Sequence, residues 1–257
     1  MVDDNQHKLE VAYDQAISTD AKQQVIGIQK EKVLHKTLKY FLCENEDCHE
    51  VKIAKTNKGV LYADIKINNH IYEIQTRNFN ALREKLEEFL KTYQVTIVYP
   101  IPYRKQIYKI DHEGLQPPKT SPKKGRPLEV CYELYKIKSY LNHPNLSFLL
   151  ILLDVDEYRQ VTEKKHYRSS GYERIVQIPK RIEQMITLST KMDYHCLLKT
   201  YALPEAFTSS DFAKATRLTQ KKAGVALHVF TYMHIVERIG KRGRSYLYQL
   251  SLENKEK

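Results

Sequence analysis

The sequence predicts an α/β chain, a mixed sheet flanked by helices followed by a smaller, mainly helical unit. Three observations carry this reading. Around Asn68-Asn69, a pair that tolerates the positive φ of a two-residue turn, lie two short runs mixing β-branched, aromatic and polar residues, LYADIKI and HIYEI. Amphipathic helical runs then alternate with apolar ones, Phe79–Leu90 before Gln94–Tyr99 and Leu128–Leu141 before Phe148–Leu153. Past residue 203 two capped helical runs precede a hairpin.

In chain order, residues 1–24 are polar and mixed, a short helix or a loose N-terminal arm. From Gln29 to Leu42 the period is helical, with Glu31, Leu34, Leu38 and Phe41 along one stripe and His35 close to Glu31. An unpaired buried carboxylate is costly, so Glu31 either reaches solvent at the helix end or points into a site. Val51–Ala54 reads as a strand, with a turn to Gly59 before the hairpin. Counting outward from Asn68-Asn69 pairs Ile67 with His70, Lys66 with Ile71, Ile65 with Tyr72 and Asp64 with Glu73. Asp64, Lys66, Glu73 and Gln75 then share one face and Ala63, Ile65, Ile67, Tyr72 and Ile74 the other, core face. Two carboxylates about 5 Å apart repel by on the order of 3 kcal/mol at an effective dielectric near 20. Either the hairpin is solvated there or a cation sits between them.

Asn78 can cap a helix whose stripe is Phe79, Leu82, Leu86, Phe89 and Leu90. Gln94–Tyr99 is a buried strand stopped by Pro100, and the helical crossover makes it parallel to the second hairpin strand. Tyr103–Asp111 is a further strand, and residues 114–127 are a Pro- and Lys-rich loop. The helix from Leu128 to Leu141 buries Val130, Leu134, Ile137 and Leu141, and FLLILL (148–153) is a buried strand. Residues 164–181 read as an extended connection and Ile182–Leu198 as helical.

The chain has 257 residues, 42 Lys+Arg against 31 Asp+Glu, a net charge of +11 that favours polyanionic partners, nucleic acid first. A basic leader and an 18-residue apolar run are both missing, and four scattered cysteines suit a reducing compartment, so the expectation is a cytoplasmic protein without membrane association. Cys43, Cys48 and His49 lack a second Cys/His pair and make a weak zinc signal.

An acidic residue in the first helix, then Asp64, eight residues, Glu73-Ile74-Gln75, a helix and a buried strand: this order resembles the PD-(D/E)xK, restriction-endonuclease-like superfamily over roughly residues 25–110. The resemblance implies a divalent cation, Mg²⁺ with Mn²⁺ as substitute, held by Asp64, Glu73 and the Ile74 carbonyl and assisted by Glu31. It departs from the pattern in having Ala63 for proline and Gln75 for the motif lysine. Glutamine orients water or a phosphate oxygen by hydrogen bonds but carries no charge, which Lys66 on the same hairpin face could provide.

At the C-terminus Thr208-Ser-Ser-Asp211 is a capping-box start, Thr219 caps a second helix with Ala223, Leu227 and Phe230 inward, and Val236–Ile239 and Ser245–Leu250 flank a turn. Helix, turn, helix, hairpin resembles a winged helix-turn-helix over residues 203–250. Gln220, Lys221 and Lys222 would meet base edges and Lys241, Arg242 and Arg244 phosphates, although winged helices also dock proteins. The expected organisation is an arm (1–24), a nuclease-like domain (25–162), a connection (163–202) and a winged-helix domain (203–257). The function expected is a metal-dependent DNA endonuclease, compatible with a homodimer; the alternative is an inactive nuclease-like DNA-binding or regulatory protein.

Overall fold

A computed structural model describes residues 2–22, 33–162 and 171–251; Glu31 lies outside them. Helices α1 (Val2–Lys22) and α2 (Val33–Leu42) open the chain, followed by strands β1 (His49–Thr56), β2 (Gly59–Ile67) and β3 (His70–Ile74). A 3₁₀ turn (Phe79–Leu82) leads into α3 (Arg83–Phe89), β4 (Gln94–Asp111) and two short strands, β5 (Gly114–Leu115) and β6 (Lys119–Thr120). Then come α4 (Cys131–Leu134) between 3₁₀ turns, β7 (Leu146–Val161), β8 (Tyr172–Leu188) and α5 (Lys191–Lys199). The last elements are β9 (Phe207–Thr208), α6 (Ser209–Thr216), α7 (Gln220–Tyr232), β10 (Val236–Arg242) and β11 (Ser245–Leu250). The large sheet is mixed, flanked by helices and ordered β1-β2-β3-β4-β7-β8, with β5 and β6 paired to β4; β10-β11-β9 form a second sheet. No helix of the described residues is long and apolar enough to cross a membrane.

Several expectations change. Pro100 does not end its strand: β4 runs through it to Asp111, because a proline lacks only a donor and its neighbours can keep an extended path. Asn78 is left-handed (φ 59°) with no side-chain cap; the Phe79 N–H donates instead to Glu133 Oε2 at 2.9 Å. Ile182–Leu188 belongs to β8, where pairing beside β7 in the sheet overrides the helix-like spacing of Ile182, Met185 and Ile186, and the helix starts only at Lys191 behind a Thr190/Asp193 capping box. The helix expected over 128–141 is a succession of α and 3₁₀ turns bent at Ile137, yet Val130, Leu134, Ile137 and Leu141 are buried as its stripe required. At the N-terminus a regular helix buries Leu9, Ala12 and Ala16 against α2.

The chain forms two compact units, each assembled from three segments. The first comprises Met1–Ile74, Pro100–Arg126 and Leu150–Met185. There β1, β2 and β3 form an antiparallel meander, and α2 lies between α1 and β3 with Leu34, Leu38 and Phe41 buried. The basic loop is bound down: Gly125 N–H donates to the Pro102 carbonyl at 3.1 Å, and a Cβ at Gly125 would fall 2.5 Å from that oxygen. Gly125→Ala should therefore cost about 2 kcal/mol of stability, read as a lower urea midpoint, because the obstructing atom is backbone.

Across β7 and β8 a second acid pair, Asp154 and Glu183, faces Arg104 at 3.7 and 3.4 Å, with Arg181 3.7 Å from Glu183. Asp154 Oδ1 and Glu183 Oε1 are buried without a well-formed hydrogen bond. Burial first, and then the contact with Glu183, push the Asp154 carboxyl up against the pull of Arg104 and Arg181. A raised carboxyl favours its protonated form in the fold, so its contribution is present at low pH and is lost as pH rises through the folded pKa. Asp154→Asn should raise stability at pH 7 by about 1 kcal/mol, a gain that shrinks as pH falls toward the ordinary carboxylate range and the wild-type acid takes up its own proton. Thermal melts of both proteins across that range decide it.

The second unit comprises Gln75–Tyr99, Pro127–Leu149 and Ile186–Lys257. Its core holds the buried stripe Phe79, Leu82, Leu86, Phe89 and Leu90 and the rings of Phe207, Phe212 and Phe230. The Thr208/Asp211 capping box and the Thr219 cap form as the sequence predicts.

Candidate functional site

The hairpin has the register counted from its turn: Ile65 pairs with Tyr72, Lys66 with Ile71 and Ile67 with His70, and Asn68 has φ 52°. The acidic face is not open, however. Ile71 and Glu73 are as buried as Ala63, Ile65 and Ile74 on the other face, because β3 is an interior strand with α2 against it.

At the open end of the hairpin the carboxylates take over the ladder. Asp64 N–H donates to Glu73 Oε1 at 3.2 Å, and Ile74 N–H donates to Asp64 Oδ2 at 2.8 Å. Each acid thus accepts a main-chain proton from the opposite strand, a reciprocal clasp that fixes both side chains. His35 of α2 adds a third contact, its Nε2 3.1 Å from Asp64 Oδ2. Charge-assisted bonds of this kind are worth about 1.5–3 kcal/mol each, enough to offset the repulsion that alone had called for a cation. Glu73 is 2% exposed, whereas the Asp64 side chain retains 13%.

One helical turn beyond His35, the buried Lys39 ammonium pairs with Glu50 of β1. The pairs His49–Ile65 and Val51–Ala63 bracket Glu50 and Asp64, so Glu50, Asp64 and Glu73 follow one another in adjacent strands. Glu50 has φ 50°, an unusual conformation for a glutamate in a strand. Sequence reading missed Lys39 and Glu50; the i,i+4 spacing of His35 and Lys39 opposite two acidic strands was the available signal. Lys66 stands beside Cys48, whose thiol is pushed up by burial and Cys43 and pulled down by Lys66. Gln75 donates its main-chain N–H to the Val98 carbonyl at 2.9 Å and its side-chain amide to the Arg77 carbonyl.

Two carboxylates suit Mg²⁺, which takes one or two and completes its shell with water and phosphate. Among the described residues no group of three or more His, Cys, Asp or Glu is placed to hold a metal, so any ion at Asp64 and Glu73 would depend on such outside ligands.

In the second unit, Lys221, Lys241, Arg242 and Arg244 are exposed. Lys222 pairs with Glu129, Gln220 donates to Ser209 Oγ at 2.8 Å, and Arg242 lies 3.5 Å from Asp211. The start of α7 rests against the 127–134 region, which engages part of the donor set expected to read bases.

The profile of a family described as Domain of unknown function (DUF8091) matches residues 32–189, well over half of the chain. The chain belongs to the DUF8091 family. The DUF8091 stretch contains His35, Lys39, Glu50, Asp64, Glu73 and Gln75 and ends just beyond β8, before α5. An uncharacterized protein of Treponema pallidum (strain Nichols) is similar to the chain, 24% identical over 233 residues that cover 87% of each. No solved structure matches it.

Proposed function

We propose that this DUF8091 protein is a divalent-metal-dependent DNA endonuclease. The observation that carries the reading is the Asp64–Glu73 clasp, two carboxylates fixed side by side across β2 and β3 beneath His35. Asp64, Glu73 and the Ile74 carbonyl are the residues that would hold Mg²⁺ or Mn²⁺. When bound, the ion supplies a Lewis acid for the attacked phosphate and lowers the pKa of its water. Asp64 N–H keeps Glu73 aimed across the strands, while Ile74 N–H and His35 keep Asp64 in one rotamer. His35 stands directly against Asp64, and Lys39, four residues on along the same helix, pairs with Glu50. The C-terminal elements follow the order of a winged helix, in which the exposed Lys221 would meet base edges and the exposed Lys241 and Arg244 phosphates.

A second reading, an inactive nuclease-like protein that binds DNA for assembly or regulation, is favoured by one observation: Gln75 gives its amide to Arg77 and the acid pair is satisfied by main-chain donors. The deciding experiment incubates plasmid and linear DNA with the protein and Mg²⁺ or Mn²⁺, alongside Glu73→Gln. Cleavage by the wild type alone supports the endonuclease; intact DNA in both samples, with salt-sensitive binding, supports the second reading.

A further inference from the structure

Exposed positions recur along α7 at every fourth residue, Gln220, Gly224, His228 and Tyr232, between elements that bury its other faces. From the 135–140 turn, Tyr135 meets the His228 ring edge-on at 5.2 Å. Lys138 lies 3.3 Å from His228 Nε2 and 4.9 Å from the Tyr232 ring centre. On the hairpin side the Arg238 guanidinium sits 4.3 Å over Tyr246, with Lys241 at 5.4 Å from the same ring. His228 joins the two groups: its pKa is lowered by burial and then by the charges of Lys138 and Arg238.

The rings are strongly exposed, Tyr135 at 48%, Tyr246 at 46% and Tyr232 at 36%. Their cations lie against π faces, an arrangement that leaves the charge unneutralised. Paired bases hide their faces from protein rings, whereas unpaired bases stack on them, and interleaved cations track the phosphates. The start of α7, where a groove-reading helix needs its donors, is engaged by Glu129 and Ser209.

We propose that Tyr135, Tyr232 and Tyr246, interleaved with Lys138, Arg238 and Lys241, form a binding face for an unpaired nucleic-acid strand. This deepens the endonuclease reading, on which it rests for its biological use, by making the substrate DNA with a single-stranded segment.

The test is fluorescence polarisation of the full-length chain with labelled dT20 and with a 20-base-pair duplex. The single strand should bind more tightly. Tyr135→Ala, Tyr232→Ala and Tyr246→Ala should each weaken dT20 binding about 10-fold. The corresponding Phe variants should bind as the wild type does, and Arg238→Ala should reduce the log–log salt slope by about 0.7. Equal or tighter duplex binding, full dT20 affinity in the Ala variants, or loss of affinity in the Phe variants overturns the proposal. Glu73→Gln, assayed in parallel, separates the two ideas: it should bind dT20 normally even where cleavage is lost, and dT20 binding without cleavage in any sample would reject only the endonuclease.

Discussion

On the proposed endonuclease function, Glu73→Gln is expected to lower metal-dependent DNA cleavage by at least about 100-fold, roughly 3 kcal/mol of transition-state stabilisation, while leaving the fold as stable as the wild type or more so. The amide oxygen at position 73 can still accept the Asp64 N–H, and its NH₂ can donate toward the Asp64 carboxylate, so the clasp closes with one charge removed. Removing a buried like-charge neighbour relieves repulsion that the wild-type hairpin bears. Activity and stability therefore move in opposite directions, the signature of a pair retained for chemistry. Glu73→Leu separates the contributions: it leaves Asp64 N–H without its acceptor and should lose both. Cleavage rates in Mg²⁺ and thermal melts on the same samples test this, and a Glu73→Gln protein that melts well below the wild type would show that the charge itself holds the hairpin.

Glu133→Ala should have the largest effect on stability, about 3 kcal/mol, in the second unit. Glu133 is buried, accepts the Phe79 N–H at 2.9 Å and takes Lys136 Nζ at 2.8 and 2.9 Å on its two oxygens. Truncation strands a buried main-chain donor at the first turn of a helix, removes the partner of a half-buried ammonium and leaves a void beside Leu134. Glu133→Gln keeps an acceptor for Phe79 and should lose only about 1 kcal/mol. Tyr99 gives an independent readout. Its phenol is pushed up to about 12, by burial first and then by Glu133 and Glu129. Ultraviolet titration should find its ionisation at lower pH once Glu133 is gone. An unfolding midpoint unchanged in Glu133→Ala would mean that water replaces the carboxylate at Phe79.

What could be seen in advance followed from local rules. The Asn68-Asn69 turn fixed the register of β2 and β3, and the stripes of α2 and of residues 79–90 named buried side chains correctly, because period and turn chemistry are properties of a few adjacent residues. The caps at Thr208 and Thr219 were legible for the same reason. Glu133 at Phe79 could not be seen, since it joins positions 54 residues apart. Pro100 misled because a proline marks a strand end only where its missing donor is needed. Ile182–Leu188 misled because its helix-like apolar spacing is overridden by pairing beside β7, a strand distant in sequence. At the site, the two acids and their opposition were readable, but their main-chain partners were not. Repulsion suggested an ion where the chain supplies two N–H groups and a histidine.

Each compact unit is made of three separated segments, and this orders events during synthesis. The first unit has all its segments once Met185 is made. The second has by then received Gln75–Tyr99 and Pro127–Leu149, with the α4 region and its buried Leu134 lacking the packing partner that α7 brings. At roughly 5–20 residues per second, the interval between those segments and the final strand is on the order of 5–20 s. An apolar surface exposed that long on a nascent chain invites aggregation. Soluble yield should therefore respond to elongation speed, growth temperature and chaperone supply.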